Sequence, residues 1–314
     1  MLPERFFYSS MIVVILLSLF LPIACNKKST NGDHASYDPL NGINVFDWSA
    51  SWNATNNKIA YMHIENDTTN EVYPSGIYVI DPSGGNRTRI FLSPRIIDLD
   101  WSPDGQWVVA NERNRLFRIS YPDGVVDTLL QGSEYYYPAW SPDGSKIACV
   151  LRGGPTSGIY TLNPDGSDYH LLIPWGDFPI WYSSDSIVYV NYWIDFPSGS
   201  ICISDYHGES RRLIVQDSTY GVTGFKKIDA DIEEKRISAY AVIPGVSYYL
   251  WTYDIEHDEL RRFLEYADYP EFSPDGDSII YTDIRVGYGN LNIICWDSTG
   301  WRQLTEPVGG EGGG

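Results

Sequence analysis

The stretch Tyr135–Val150, YYYPAWSPDGSKIACV, decides the fold, because its middle is written again elsewhere in the 314-residue chain. LDWSPDGQWVVA (Leu99–Ala110) precedes it, PIWYSSDSIVYV (Pro179–Val190) follows it, and PEFSPDGDSIIY (Pro270–Tyr281) comes near the end. Each copy is an apolar run closed by an aromatic residue, then a tight turn, then a second apolar run. Self-similarity at a fixed period is the mark of a repeat architecture. The serines that open the turns, Ser102, Ser141, Ser183 and Ser273, are 39, 42 and 90 residues apart, and the last gap is about twice the period. A degenerate copy is therefore expected between the last two. TGFKKIDADIEEKRISAYAV (Thr223–Val242) supplies it, with Phe225 at the aromatic position and a longer acidic turn. Upstream, FDWSASWNATNNKIAYM (Phe46–Met62) repeats the pattern with an insert after Trp48 and Ser49. Residues 43–306 thus divide into six units of about 44 residues.

Within the third unit, YYPAW, KIACVL, IYTLN and YHLLI read as four short strands rich in β-branched and aromatic residues, bounded by Gly, Pro, Asn and Asp. Several are apolar on both faces, as strands sandwiched between neighbouring sheets must be. The expectation is an all-β, six-bladed β-propeller of four-stranded antiparallel blades, with a solenoid of similar units as the alternative. The string of aromatic-Ser-Pro-Asp-Gly, strand, Ile-Tyr, Gly turn and final strand resembles the TolB-type six-bladed propeller repeat and is similar to WD-repeat blades. It is complete at Trp101–Gly105, Trp140–Gly144 and Phe272–Gly276, lacks Pro and Gly at Trp181–Asp185, and is loose in the first and fifth units. The resemblance implies a cell-envelope interaction module with a protein or peptide partner. Propellers also host catalysis, so the repeat is specific for fold rather than function.

Ser-Pro-Asp-Gly has a complete backbone explanation. Pro presets φ, Asp accepts local backbone hydrogen bonds, and Gly takes the positive φ that closes the hairpin. Asp104, Asp143 and Asp275 are accordingly read as turn residues, since a catalytic carboxylate needs one special environment and not a place in every turn. The loops that enter the innermost strands lie at the opposite ends. They bring Asp98, Asp100, Glu134, Tyr135, Tyr136, Tyr137, Asp177, Phe178, Asp268, Tyr269 and Glu271 towards one rim, joined by Trp193, Asp195, Phe196 and Tyr288 from second hairpins. Aromatics with carboxylates on a concave rim suit a basic, peptide-like segment, or a sugar. The competing reading is that these aromatics pack between blades while the acids stay solvated.

The mature chain keeps the net charge of −19, which argues against nucleic acid, whose binders neutralise phosphate with Lys and Arg. Residues 1–24 hold the apolar run MIVVILLSLFLPIA, with the length of a signal-peptide core rather than a membrane span. LPIAC resembles a bacterial lipoprotein signal with Cys25 as the lipid-attachment residue, although Leu21 and Pro22 depart from the usual order; an uncleaved anchor helix is the alternative. Residues 25–42 read as a flexible tether and 307–314 as a Gly-rich tail. The protein is expected outside the cytoplasm, in the cell envelope, as a monomer without a cofactor.

Cys149, Cys202 and Cys295 sit in apolar runs at no metal spacing and read as core thiols. The five histidines fall in different units, no Gly-x-Ser-x-Gly elbow occurs, and a non-catalytic role is expected. The enzymatic alternative is a glycan- or peptide-cleaving propeller using rim carboxylates such as Asp98 with Asp177. Asp229–Glu234, DADIEE, packs four carboxylates but lacks the glycine of a calcium loop, and reads as a hairpin turn.

Overall fold

A computed structural model describes residues 45–65, 74–192, 199–216, 224–243, 247–284 and 289–305. Among them every regular element is a strand. Blade 1 is β1 (Val45–Asn53), β2 (Lys58–Glu65), β3 (Gly76–Ile80) and β4 (Thr88–Leu92). Blade 2 is β5 (Ile96–Trp101), β6 (Trp107–Glu112), β7 (Arg115–Ser120) and β8 (Val126–Gln131). Blade 3 is β9 (Glu134–Trp140), β10 (Ile147–Arg152), β11 (Gly158–Leu162) and β12 (His170–Pro174). Blade 4 is β13 (Gly176–Ser183), β14 (Ser186–Asn191), β15 (Ser200–Asp205) and β16 (Arg211–Val215). Blade 5 is β17 (Phe225–Asp231), β18 (Arg236–Ile243), β19 (Ser247–Asp254) and β20 (Glu259–Glu265). Blade 6 is β21 (Ala267–Phe272), β22 (Ser278–Asp283), β23 (Asn290–Cys295) and β24 (Arg302–Gln303). Each blade is a four-stranded antiparallel sheet in sequential order, so the fold is a six-bladed β-propeller.

The two-sided apolar strands have a direct explanation in the core. Six apolar clusters fill the six seams between blades, and alternate residues of one strand serve opposite seams. In β2, Ile59 and Tyr61 face blade 6 while Ala60 and Met62 face blade 2. In β10, Ile147 and Cys149 face blade 2 while Ala148 and Val150 face blade 4. With a period of two, a buried strand needs apolar residues at every position. Each fully buried Ile, Leu or Val contributes about 1.5–3 kcal/mol of transfer free energy. Cys149 and Cys202 are buried in these seams, and burial pushes the Cys149 thiol up to about 12; Cys295 is half-buried.

Among the described residues blade 1 is built from β1–β4 and blade 6 from β21–β24, with no strand exchanged between them. Asp47 N donates to Gly289 O at 2.7 Å, and the closing seam carries its own cluster of Ile59, Tyr61, Tyr78, Ile280, Leu291 and Ile293.

The turn chemistry repeats to within 0.1 Å. Ser102, Ser141 and Ser273 Oγ donate to the aspartates two residues on, at 2.6, 2.7 and 2.6 Å. Each of these serines also accepts from the backbone N–H five residues on, at 2.9 Å in all three. Gly105, Gly144 and Gly276 take φ of 68–72°. Asp104, Asp143 and Asp275 are therefore committed to the hairpins.

Strand register corrects two alignments. Trp101, Trp140, Trp181 and Phe272 pair with Val108, Ile147, Ile187 and Ile279. The residues in the same register are Trp52, opposite Ile59, and Ala230, opposite Ile237, rather than Trp48 and Phe225. Phe225 instead opens β17 and is fully buried. Blade 1 offers two tryptophans, Trp48 and Trp52, of which the second is in register, and in blade 5 Ala230 stands in the aromatic's place. The polar group of the turn is conserved in kind: Asn53 Oδ1 accepts from Asn56 N, and Asp231 Oδ1 from Glu233 and Glu234 N. Cys25, the tether, Trp193, Asp195, Phe196, Tyr288 and the Gly-rich tail lie outside the described residues.

Candidate functional site

The six innermost strands run from the linkers on one side of the disc, the entry face, to the Ser-Pro-Asp-Gly turns on the other, the turn face. Counting back three from the aromatic register gives one residue per blade: Ser49, Asp98, Tyr137, Phe178, Lys227 and Tyr269. Five of the six have positive φ, of 50°, 50°, 49°, 34° and 50° for Ser49, Tyr137, Phe178, Lys227 and Tyr269. All six strands carry a register shift at or next to this point, so the ring is a ring of β-bulges. A bulge re-aims the side chain, and non-glycine residues held at positive φ gather where function requires them.

These side chains meet. Asp98 is fully buried and accepts from Ser49 Oγ, Leu99 N at 3.0 Å and Lys227 Nζ at 2.6 Å. The Lys227 ammonium lies 5.9 Å from the Tyr137 ring centre and 5.6 Å from that of Tyr269. Tyr137 packs on Phe178 with centroids 4.3 Å apart. The result is a plug of one ion pair in an aromatic collar. Burial would lower the Lys227 pKa, but the charge and hydrogen bond of Asp98 hold it above its ordinary value. Burial pushes the Asp98 carboxyl up, against the pull of Lys227.

Next to the plug, towards the turn face, a cavity of about 120 Å³ is lined by Asp100, Tyr137, Trp140, Phe178, Trp181, Lys227, Asp229 and Glu271 among others. Its second ring is the residue just before the aromatic register: Ser51, Asp100, Ala139, Ile180, Asp229 and Glu271. Here each carboxyl reaches into the next blade. Asp100 accepts from Trp140 N at 2.7 Å, Asp229 from Phe272 N at 2.6 Å and Glu271 from Trp52 N at 3.2 Å. Ser51 Oγ accepts from Trp101 N at 3.1 Å and donates to Asp100 at 2.7 Å. The wall is acidic on blades 2, 5 and 6 and apolar on blades 3 and 4. Burial pushes Asp100 up to about 7 and Asp229 up to about 6. Glu271 is raised well above its ordinary value, first by burial and then by the charges of Asp229 and Asp100. Three carboxyls that repel one another across a small cavity are raised together, and a cation bound among them would pull them back down.

The residues expected on a single rim therefore divide. Asp100, Tyr137, Phe178 and Glu271 line the cavity, and Asp98 and Tyr269 form the plug. Glu134, Tyr136 and Asp177 stand on the entry face, with Glu134 paired to Arg113 at 2.8 Å and Asp177 to Arg152 at 2.5 Å. Tyr135 is buried in the seam of blades 2 and 3, so packing accounts for it. Asp177 and Asp268 each accept from the backbone N–H of the bulge residue that follows, at 3.0 and 2.7 Å, which fixes the bulge. The pair Asp98 and Asp177, weighed as a glycosidase dyad, is held by Lys227 and Arg152, and full burial keeps Asp98 from a substrate. In the Asp229–Glu234 stretch, Asp229 is turned to Phe272, and Asp231 closes the turn beside Arg236 at 3.9 Å. Lys227, Ser49, Ser51, Trp140 and Trp181 were not anticipated. For Lys227 and Asp229 the signal was the turn: counting back from Asp231, in place of the usual Ser, puts both in register.

No family model matches the chain. Over 93 residues, 28% of this chain and 21% of the other, it is 29% identical to the Tol-Pal system protein TolB of Anaeromyxobacter dehalogenans (strain 2CP-C). Among solved structures, TolB from Acinetobacter baumannii is similar with a TM-score of 0.67 and 17% identity over 78% of this chain. The chain spans 62% of that structure's length. An oligogalacturonate lyase in complex with manganese is similar with a TM-score of 0.56 and 10% identity, over 83% of this chain and 77% of that one. The fold is a TolB-like six-bladed propeller, and it is one that an enzyme also uses.

Proposed function

We propose that the chain is a non-catalytic binding module of the cell envelope that captures a basic, peptide-like segment of a protein partner in its axial cavity. The observation that carries this reading is the convergence of Asp100, Asp229 and Glu271 on one small cavity floored by the Lys227–Asp98 plug. Lys227 gives its hydrogen bond to Asp98 and acts on the three remaining carboxyls through its charge alone, so one ammonium faces more negative charge than it balances. Trp140, Trp181, Tyr137 and Phe178 supply rigid apolar walls against which the aliphatic stem of a lysine or arginine packs. Carboxylates anchored by backbone N–H groups of neighbouring blades are preorganised, which lowers the cost of ordering the site on binding. The likeness to TolB, a Tol-Pal system protein by name, supports an exported protein-binding propeller over an isolated enzyme. The signal-like residues 1–24 and Cys25 fit the same reading, as an anchor that holds the propeller at a membrane.

The test is titration of the purified chain with peptides in which a single Lys or Arg is moved through a neutral sequence. The double variant Asp229→Asn, Glu271→Gln is expected to lose at least tenfold in affinity at pH 7.5 while keeping its circular dichroism spectrum. Unchanged affinity sinks the cavity as the binding site. Turnover of an oligosaccharide or peptide by the wild-type chain, abolished in the same variant, assigns the site to catalysis instead.

A further inference from the structure

The entry face carries a feature that the axial cavity does not use. The linker from β12 into β13 turns at Trp175 with φ of 57°, and the linker from β20 into β21 turns at Tyr266 with φ of 58°. Both make the same bond: Trp175 N donates to Ser157 O at 2.9 Å and Tyr266 N to Tyr248 O at 2.8 Å. Between blades 2 and 3 the equivalent bond runs from Gly132 N to Asn114 O, and Gly132 has φ of 96°. Glycine is what the backbone alone requires at such a φ, and a bulky residue there is strained. Trp175 and Tyr266 nevertheless stay 36% and 39% exposed, so core burial does not account for them.

Trp175 is joined through its backbone to Tyr192, next to a row of paired side chains on blades 2 to 4. Arg113 Nε donates to Glu134 at 2.8 Å, and the Tyr136 hydroxyl donates to the other Glu134 oxygen at 3.4 Å. The Arg152 guanidinium lies 4.7 Å from the Tyr136 ring centre and donates to Asp177 at 2.5 Å. Tyr192 lies beside this pair: burial pushes its hydroxyl up to about 12, with the Asp177 charge adding and Arg152 opposing. Its backbone N–H donates to Trp175 O at 3.2 Å, and the residue is 39% exposed. Along this ridge each carboxylate has an arginine of its own, so the ridge is close to neutral where the cavity is acidic. It offers flat rings between fixed donor–acceptor pairs. A pyranose is the complement, with a flat C–H face, an edge of hydroxyls and no charge. A basic peptide gains little from carboxylates already paired, and an acidic one meets a chain of net charge −19.

We propose that this ridge binds a neutral, pyranose-containing oligosaccharide, its ring faces on Trp175 and Tyr192 and its hydroxyls on the Glu134–Arg113 pair and on the Arg152 guanidinium, which the buried Asp177 holds in place. Peptide capture in the axial cavity neither requires this site nor follows from it. The experiment presents the full chain to immobilised neutral oligosaccharides, uronate-containing oligosaccharides and basic peptides. Wild-type chain is expected to be retained on neutral pyranose oligomers, and Trp175→Gly to reduce that retention at least tenfold. Because glycine relieves the positive φ, the same variant is expected to melt no lower than wild type. Tyr192→Ala gives a second reading of the same surface, and Asp229→Asn with Glu271→Gln leaves glycan retention unchanged. The proposal is overturned by no retention on any neutral glycan, by equal retention of Trp175→Gly, or by retention on uronates or peptides alone.

Discussion

The two ends of the inner strands use the same residue types to opposite effect. Towards the turn face, Asp100, Asp229 and Glu271 are held by backbone N–H groups, and the nearest cation, Lys227, is spent on Asp98. On the entry face, Glu134 and Asp177 are each matched by an arginine. The first arrangement leaves an acidic cavity with a single ammonium at its edge; the second leaves a surface of paired donors and acceptors. What separates them is the bulge ring, which turns one side chain per blade onto the axis and divides the channel in two.

The largest break in this comparison comes from the ion pairs themselves. Lys227→Met leaves Asp98 fully buried without its cation, and removing one partner of a buried pair costs about 3–5 kcal/mol. Arg152→Met at the entry face is expected to cost about 1 kcal/mol, because the Arg152 side chain is already 38% exposed and water replaces part of its role. Chemical denaturation of both variants at pH 7 measures the contrast. Equal losses would mean that the plug is no more desolvated than the surface. The Lys227→Met deficit is also expected to shrink as pH falls towards 4, since Asp98, already raised by burial, then folds in its neutral form.

A second contrast is in pH. Asp100 is pushed up to about 7 and Asp229 to about 6, and Glu271 is raised as well, so the folded chain holds more protons than the unfolded one between pH 4 and 7. Stability from these groups is fully present below their unfolded values and is lost as pH rises through 6 to 7. Denaturation is therefore expected to show the chain on the order of 2 kcal/mol more stable at pH 5 than at pH 7.5, with Asp100→Asn flattening the profile. Below pH 4 the trend reverses, because Asp143, Asp165 and Asp275 in the turns have lowered values and lose their hydrogen bonds on protonation. Binding of a cation in the cavity runs the other way and weakens as pH falls from 7 to 5. A chain whose stability rises steadily from pH 5 to 8 would contradict the crowding of these carboxyls.

The fold was legible because a turn must be rebuilt in every blade, and Ser102, Ser141 and Ser273 do it with the same bonds. The two-sided apolar strands were legible for the same reason, since each seam needs its own cluster. The site was only half legible. Periodicity puts residues at a height along the strand, but a bulge decides whether a side chain points to the axis, and no pattern in the sequence marks Tyr137 as axial and Tyr135 as core. Pairing was hidden as well: Lys227 and Asp98 are 129 residues apart and meet only because the ring closes. Blade 5 misled most, because Phe225 fills a seam at the start of its strand while Ala230 stands where the others keep an aromatic.

The smallest expected effect belongs to the residue that the sequence repeats most plainly. Asp143 accepts from Ser141 Oγ at 2.7 Å and from Ser145 N at 3.0 Å, and these bonds hold its carboxyl below the usual range. It is exposed and Ser145 reaches water when it is removed, while the buried Ser141 hydroxyl loses its acceptor, so Asp143→Ala is expected to cost about 1 kcal/mol. Neither the cavity nor the entry-face ridge includes it, so affinity for a basic peptide and retention on a neutral glycan should both match wild type. Asp104→Ala and Asp275→Ala should behave alike, because their blades make the same turn. A loss of binding in any one of the three, with the melting temperature preserved, would assign that turn a role in recognition and break the division between the two ends.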